Sequence, residues 1–318
     1  MATLHPTLIP LDYATAATPV LLANLSGIAL DGDRLWTVSD EGRTVECLSP
    51  RGDGYALSAQ VALDRLNGAL PGAKKAAEMD LESVDVAGDR IWICGSHCRV
   101  RRRSVAPDTL NDRMRSRPSR HLLGALDIDG QGGAVSRAHF LPALGKGSLR
   151  HMLKRDPYLA PFLKLPSKEN GLDIEGVLVS EDRILLGLRG PLLDNIAAIV
   201  TVQLAKRFEV EGYELGLLDL GGLAIRDLCR CEDGIFVLAG PVSDAHGPYR
   251  LYHWQPSSGP VIQTPVHVFT WPETREKPEG ICAIRRGAET GLIVLYDSPD
   301  TAKRVRGSVY LADWLTGV

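Results

Sequence analysis

The sequence predicts an all-β protein, a β-propeller of five four-stranded blades closed by an N-terminal strand, with a small helical insertion. Three observations carry that expectation. A hairpin pattern recurs five times with its head and turn in register. Two further strand-like runs follow each of the first four copies, and one follows the fifth. An orphan strand-like run, TLIPLDYA at 7–14, stands where it can complete a last blade that the C-terminus leaves one strand short.

The hairpins read NLSGIALDGDRLWTVSDEG at 24–42, DLESVDVAGDRIWICGSH at 80–97, DIEGVLVSEDRILLGLRG at 173–190, AIRDLCRCEDGIFVLAG at 224–240 and KPEGICAIRRGAETGLIVLYDSPD at 277–300. Each joins two short apolar runs through a tight polar turn, as strands covered on both faces do. Aligned on the turns, the heads are Ser26, Glu82, Glu175, Arg226 and Glu279. Six blades are the alternative count, with the same coarse geometry.

Composition agrees with many turns and short strands. Gly 32 and Pro 20 among 318 residues exceed their usual combined share of about 12%. A net charge of −3 with 24% charged residues gives no bulk attraction to nucleic acid or membrane. No apolar run approaches the ~20 residues needed to span a bilayer. The N-terminus lacks a basic stretch leading into an apolar one, so a cytoplasmic location is expected. The six cysteines do not follow zinc-ribbon spacing and mostly sit in apolar runs, where free thiols behave as small hydrophobes.

In a propeller blade the first strand lines the central channel and the second returns beside it, so heads and tails share one face. That face should carry Glu175 with Arg189, together with Ser39, Asp40, Glu41 and Arg43. Ser96, His97 and Arg99 join them, then Asp244 and His246, then Asp297 and Ser298. Two insertions, 99–120 and 144–170, fall on the same face of a single domain spanning 1–318. The first holds eight Arg against two Asp. The second has short helical patterns with Leu149, Met152, Leu153, Leu159, Phe162 and Leu163 available to dock. Long excursions of this kind are more often functional than accidental, and these resemble a lid.

Glu82, Glu175 and Glu279 should converge on the axis. Two unit charges ~6 Å apart repel by roughly 3 kcal/mol at an effective dielectric of about 20. A cation, protonation or the Arg226 guanidinium must offset that. Hard oxygen donors without His or Cys favour Ca²⁺, with Ser26 and Asp227 as further oxygens and Asn24, Asp80 and Asp173 in reach.

The runs DLESVDVAGDRIWICGSHCRVRR, KENGLDIEGVLVSEDRILLGLRGP, GGLAIRDL and KPEGICAI together resemble an uncharacterised, mostly bacterial domain-of-unknown-function family over residues 24–300. The Glu-Gly heads also resemble esterase-like phytases and, more distantly, calcium-dependent propeller hydrolases of the gluconolactonase, paraoxonase and apyrase groups. Those likenesses imply Ca²⁺ in the channel and hydrolysis of an ester, lactone or phosphoanhydride at its mouth. Glu82-Ser83 departs from the Glu-Gly pattern. The functional expectation is a small anionic ligand gripped by Arg99, Arg189 or Arg43, with His97, Asp40 or Asp297 taking a proton from water. A non-catalytic binding propeller with a structural metal is the alternative.

Overall fold

The computed structural model describes residues 7–66, 70, 77–102, 111–129, 135–256, 264–270 and 276–317. Residues 103–110 of the first insertion lie outside them. Strand β1 (Thr7–Asp12) precedes β2 (Leu25–Asp31), β3 (Arg34–Ser39), β4 (Thr44–Arg51) and β5 (Gly54–Ala62). Then come β6 (Leu81–Ala87), β7 (Arg90–Gly95), β8 (Arg99–Arg101), β9 (Met114–Ser116), β10 (Leu123–Ile128) and β11 (Val135–Phe140). The third and fourth hairpins open β12 (Asp173–Ser180), β13 (Arg183–Gly190), β14 (Ala197–Leu204), β15 (Val210–Leu218), β16 (Ala224–Cys231), β17 (Gly234–Gly240), β18 (Tyr249–Trp254) and β19 (Pro265–Phe269). The chain ends in β20 (Lys277–Arg286), β21 (Glu289–Asp297), β22 (Val305–Arg306) and β23 (Val309–Thr316).

Pairing groups these strands as a propeller does. Three sheets run β6-β7-β10-β11, β12-β13-β14-β15 and β16-β17-β18-β19. A longer sheet joins β2-β3-β4-β5 to β20-β21-β23-β1 through β1. The first strands touch one another in a closed cycle, β2 to β6, β12, β16, β20 and back to β2. Strand β1 pairs antiparallel with β23 over six residues and meets β5 in parallel at Leu11 and Asp12. Ile9, Leu11 and Tyr13 are fully buried there, so the N-terminal strand joins the last sheet to the first.

One local feature recurs in every hairpin. The register between first and second strands slips between Leu25 and Gly27, Leu81 and Ser83, Ile174 and Gly176, Ile225 and Asp227, and Pro278 and Gly280. The skipped residues are Ser26, Glu82, Glu175, Arg226 and Glu279. A bulge residue is free of the ladder and its side chain is re-aimed, so the five aligned heads are five bulges. The residue after each bulge meets the neighbouring first strand closely. A Cβ on Gly27 would lie 2.9 Å from Ser83 Cα, and one on Gly176 would lie 2.9 Å from Leu228 Cγ. Ser83 and Asp227 occupy that position in the other two hairpins and bond to each other at 3.1 Å.

The second insertion packs down on the sheets. Helix α1 (Pro19–Ala23) leads into β2, and α2 (Leu149–Leu153) belongs to the second insertion, with Ser148 capping it through His151 N at 3.2 Å. Leu149, Leu153, Leu159 and Leu163 are buried against Leu172, Ile174 and Leu188, as the helical spacing predicts. Strands β8 and β9 form a separate hairpin within the first insertion. Five cysteines are buried, Cys231 is half-buried, and all six are free thiols. Among the described residues no helix is long and apolar enough to cross a membrane.

Candidate functional site

Four of the five bulged heads, Glu82, Glu175, Arg226 and Glu279, line a cavity of about 1020 Å³ at the charged mouth. Its floor carries five buried carboxylates, Asp80, Glu82, Asp173, Glu175 and Glu279, against buried Arg120 and Arg226 and mostly buried Arg189. Carboxylate oxygens of Glu82, Glu175 and Glu279 lie within 4.8 Å of one another. Arg226 enters this group: its Nε is 2.9 Å from Glu175 Oε2, and Nη2 donates to Glu279 Oε1. Arg189 Nη1 donates to the other oxygen of Glu175 at 2.7 Å. Glu82 makes no hydrogen bond or ion pair with a described residue, and Asp173 Oδ1 is buried without a partner.

Burial, and like charge after it, raise the proton affinity of Asp80, Glu82, Asp173 and Glu279. Burial first, then Asp80, Glu175, Asp173 and Glu279, push the Glu82 carboxyl well above its ordinary range. Burial and Glu175 do the same to Asp173, against the pull of Arg189. Burial raises Glu279 although Arg226 opposes it. Half-buried Asp40 is pushed up to about 8 by burial, then by Asp297 and Asp80.

These directions predict a pH dependence. The unfolded chain releases these protons near pH 4, whereas the folded protein holds them to higher pH. Stability contributed by protonation is therefore complete below pH 4 and declines as pH rises, through about 8 for Asp40. In chelator, the melting temperature is expected to be lower at pH 8 than at pH 5.5, with Asp40→Asn flattening part of the slope. Melting points rising with pH over that range would show that the floor is ionised when folded.

The structure divides the residues singled out from sequence. Asp40 and Asp297 line the cavity, Asp297 lying 3.6 Å from Lys277. Ser26 and Asp227 are not in the carboxylate group. Ser26 Oγ donates to Leu81 O at 2.5 Å, and Asp227 accepts from Ser83 Oγ and from Ile281 N at 2.9 Å. Ser83 in turn accepts from Val177 N at 2.9 Å, so this buried pair ties four first strands together. His97 is turned away. It is 2% exposed, holds a positive φ of 55°, stacks on His121 at 5.7 Å and bonds through Nε2 to Leu122 O at 3.1 Å.

The three arginines also separate. Arg189 lines the cavity, but its donors go to Glu175, to Val242 O at 3.1 Å and to Ser243 O at 3.4 Å. Arg43 pairs with Asp64 and does not line the cavity. Arg99 lines a different cavity. Further cations reach the mouth from the insertions, Arg101, Arg102, Arg115, Arg117 and Lys168, besides Arg120 at its floor. Arg101 pairs with Glu169, and Arg117 with Glu78, while Arg102 and Arg115 make no ion pair with a described residue. Their signal was the arginine run itself, which spacing alone could not aim.

Arg120 was the larger omission, whereas the sequence places Asp80 in reach of the axis. Arg120 Nη1 lies 2.6 Å from Asp80 Oδ2, and Nη2 donates to Glu78. The parallel triplets DLE at 80–82 and DIE at 173–175 each place an Asp two residues before a bulged Glu head. A second group with ligand chemistry, Cys231, Asp233 and His253, lies outside the cavity, where His253 and Asp233 pair at 3.0 Å.

No curated protein matches the chain. In backbone path it is similar to a glutaminyl cyclase of Myxococcus xanthus, at 11% identity and TM-score 0.47, covering 98% of this chain and 97% of that one. It is similar to a streptogramin B lyase at 10% identity and TM-score 0.43, covering 98% of both. A PQQ-bound aldose sugar dehydrogenase of Streptomyces coelicolor gives 11% and 0.43, again at 98% of each chain. Identities this low carry none of those proteins' chemistry across. Residues 24–313 match the family described as Protein of unknown function (DUF3616), and the chain belongs to that family.

Proposed function

We propose that the mouth cavity holds a divalent cation on its floor, Ca²⁺ by its donor set, and hydrolyses a small anionic ester, a phosphate ester above all. The observation that carries this reading is the trio Glu82, Glu175 and Glu279, with oxygens within 4.8 Å of one another and Glu82 unpaired. Ca²⁺ takes oxygen ligands at about 2.3–2.6 Å, so oxygens up to about 5 Å apart fit one coordination shell. Glu82 would be the main ligand, with the oxygens of Glu279 and Asp173 that Arg226 and Arg189 leave open. A cation there supplies Lewis-acid polarisation of a substrate oxygen.

The chain's own residues supply the rest. Asp40, its carboxyl raised to about 8 by burial and then by Asp297 and Asp80, can give a proton to the leaving oxygen as a general acid, with Asp297 beside it able to accept one from water. Arg102 and Arg115, which make no ion pair with a described residue, can grip the anion with forked donors.

One specific observation favours a non-catalytic binding propeller instead. Arg226 already neutralises one oxygen each of Glu175 and Glu279.

The test is phosphate release from a panel of phosphomonoesters with Ca²⁺ or with chelator, alongside melting temperature. Chelator, Glu82→Gln and Asp40→Asn should each reduce turnover by about 100-fold or more, the usual worth of a positioned acid or base. Ca²⁺ at 100 times its dissociation constant should stabilise the wild type by about 2.7 kcal/mol, and Glu82→Gln should blunt that gain. Stabilisation by Ca²⁺ without hydrolysis of any ester would leave the binding reading. No effect of Ca²⁺ on either measurement would remove the cation.

A further inference from the structure

A second cavity, of about 720 Å³, lies between the two insertions. Its charge pattern is the reverse of the first. Arg99, Arg150, Lys154 and Lys164 line it with His121 and His151, and among the described residues no carboxylate does. At the mouth most cations face an acid. Here none is paired: Arg99, Lys154 and Lys164 make no ion pair with a described residue. Arg150 donates only to neutral carbonyls, those of His97 and, at 2.7 Å, Leu163. Arg99 Nε and His151 Nε2 are buried without any partner.

Buried donors without acceptors and like charges without counter-charges both cost stability. The neighbours register that cost. Burial, then Arg99, brings Arg150 down to about 10, and burial, then Arg150, brings His121 down to about 4. Such a group is expected where an anion supplies the missing charge. Leu144, Pro157, Ala160 and Pro161 add apolar lining, with Leu144 64% exposed. The volume falls within the range of about 300–1,000 Å³ typical of small-molecule sites.

We infer that this cavity binds a small phosphorylated ligand, its phosphate among Arg99, Arg150, Lys154 and Lys164 and its apolar body against Pro157, Pro161 and Leu144. Four cations suit the double charge of a phosphate monoester better than a single carboxylate, and guanidinium forks match its oxygens. The site is separate from the mouth cavity and does not rest on the hydrolase reading. Sequence spacing assigned Arg99 to the mouth, yet its neighbour across the β8–β9 ladder, Ser116, lines this second cavity with it.

Phenyl phosphate is the probe, titrated calorimetrically at physiological ionic strength with chelator present, so that no cation site at the mouth contributes. The wild type should bind saturably. The double variant Lys154→Glu/Lys164→Glu changes two exposed side chains and should keep its fold, checked by melting temperature, while losing affinity at least about tenfold, by the usual worth of charge-assisted bonds. Arg99→Gln should weaken binding in the same direction. Arg102→Glu/Arg115→Glu at the mouth should leave the affinity within about twofold. Absence of saturable binding, equal affinity for benzoate, or loss of binding in the mouth variant but not in the lysine variant would overturn the assignment.

Discussion

Deletion of residues 1–15 is expected to abolish cooperative folding near physiological temperature, or at least to lower the melting temperature by tens of degrees. Strand β1 supplies the outermost strand of the last sheet and its link to the first. Ile9 and Leu11 are fully buried, each worth about 1.5–3 kcal/mol on that ground alone. Tyr13 is buried too, with its hydroxyl 3.2 Å from Thr37 Oγ1 and its N–H donating to Ser308 O at 3.0 Å. With the six-residue ladder to β23, the loss is of the same order as the whole stability of a domain, about 5–15 kcal/mol. β23 would also become an unpaired edge, a template for aggregation. Circular dichroism melts of the truncated and full chains check this. An unchanged midpoint would mean that the ring closes without β1.

The second large effect is expected from Arg226→Met. Its guanidinium is 2% exposed and bridges Glu175 to Glu279 at the centre of the carboxylate floor. Removing one partner from a buried ion pair costs about 3–5 kcal/mol, because the charges left behind keep their desolvation cost. Urea unfolding at pH 7 should show that loss. Glu279 takes up a proton more readily than an ordinary carboxyl, so the loss should shrink at pH 5, where protonation replaces the missing cation. Ca²⁺ should restore part of the stability at pH 7 if the floor accepts a metal. A loss equal at both pH values and indifferent to Ca²⁺ would show that Arg226 acts through packing alone.

Much of the fold was legible because propeller strands carry their information locally. Apolar runs of strand length, two-residue turns such as Gly32-Asp33 and a repeated head are sufficient to register five hairpins. The heads proved to be bulges, free of the ladder, which explains why that one position per repeat varies among Ser, Glu and Arg. The glycine after the head was legible as a pattern, and its cause, the close approach of the next first strand, was not.

The functional face was legible as a location more than as a set of partners. Asp40, Glu82, Glu175, Glu279 and Asp297 all line the mouth cavity. Ser26, His97, Arg43 and Arg99 share the same segments but are engaged elsewhere, Ser26 on Leu81 O, His97 on Leu122 O, Arg43 on Asp64 and Arg99 in the second cavity, which spacing does not reveal. Arg189 reaches the mouth with its donors already engaged.

By itself, then, the sequence determined the repeated hairpins, the closing role of the N-terminal strand and the convergence of acidic heads on one axis. Each follows from periodicity of two and from repetition, which are properties of short windows. Only the tertiary structure decided which charges meet. Arg226 answers Glu175 and Glu279, Arg120 answers Asp80, and Arg99 is left with Arg150 in a cavity that no described carboxylate lines. Those pairings join residues as many as 53 positions apart, as Arg226 and Glu279 are. They depend on the desolvation of each group in the packed protein, which no local pattern encodes.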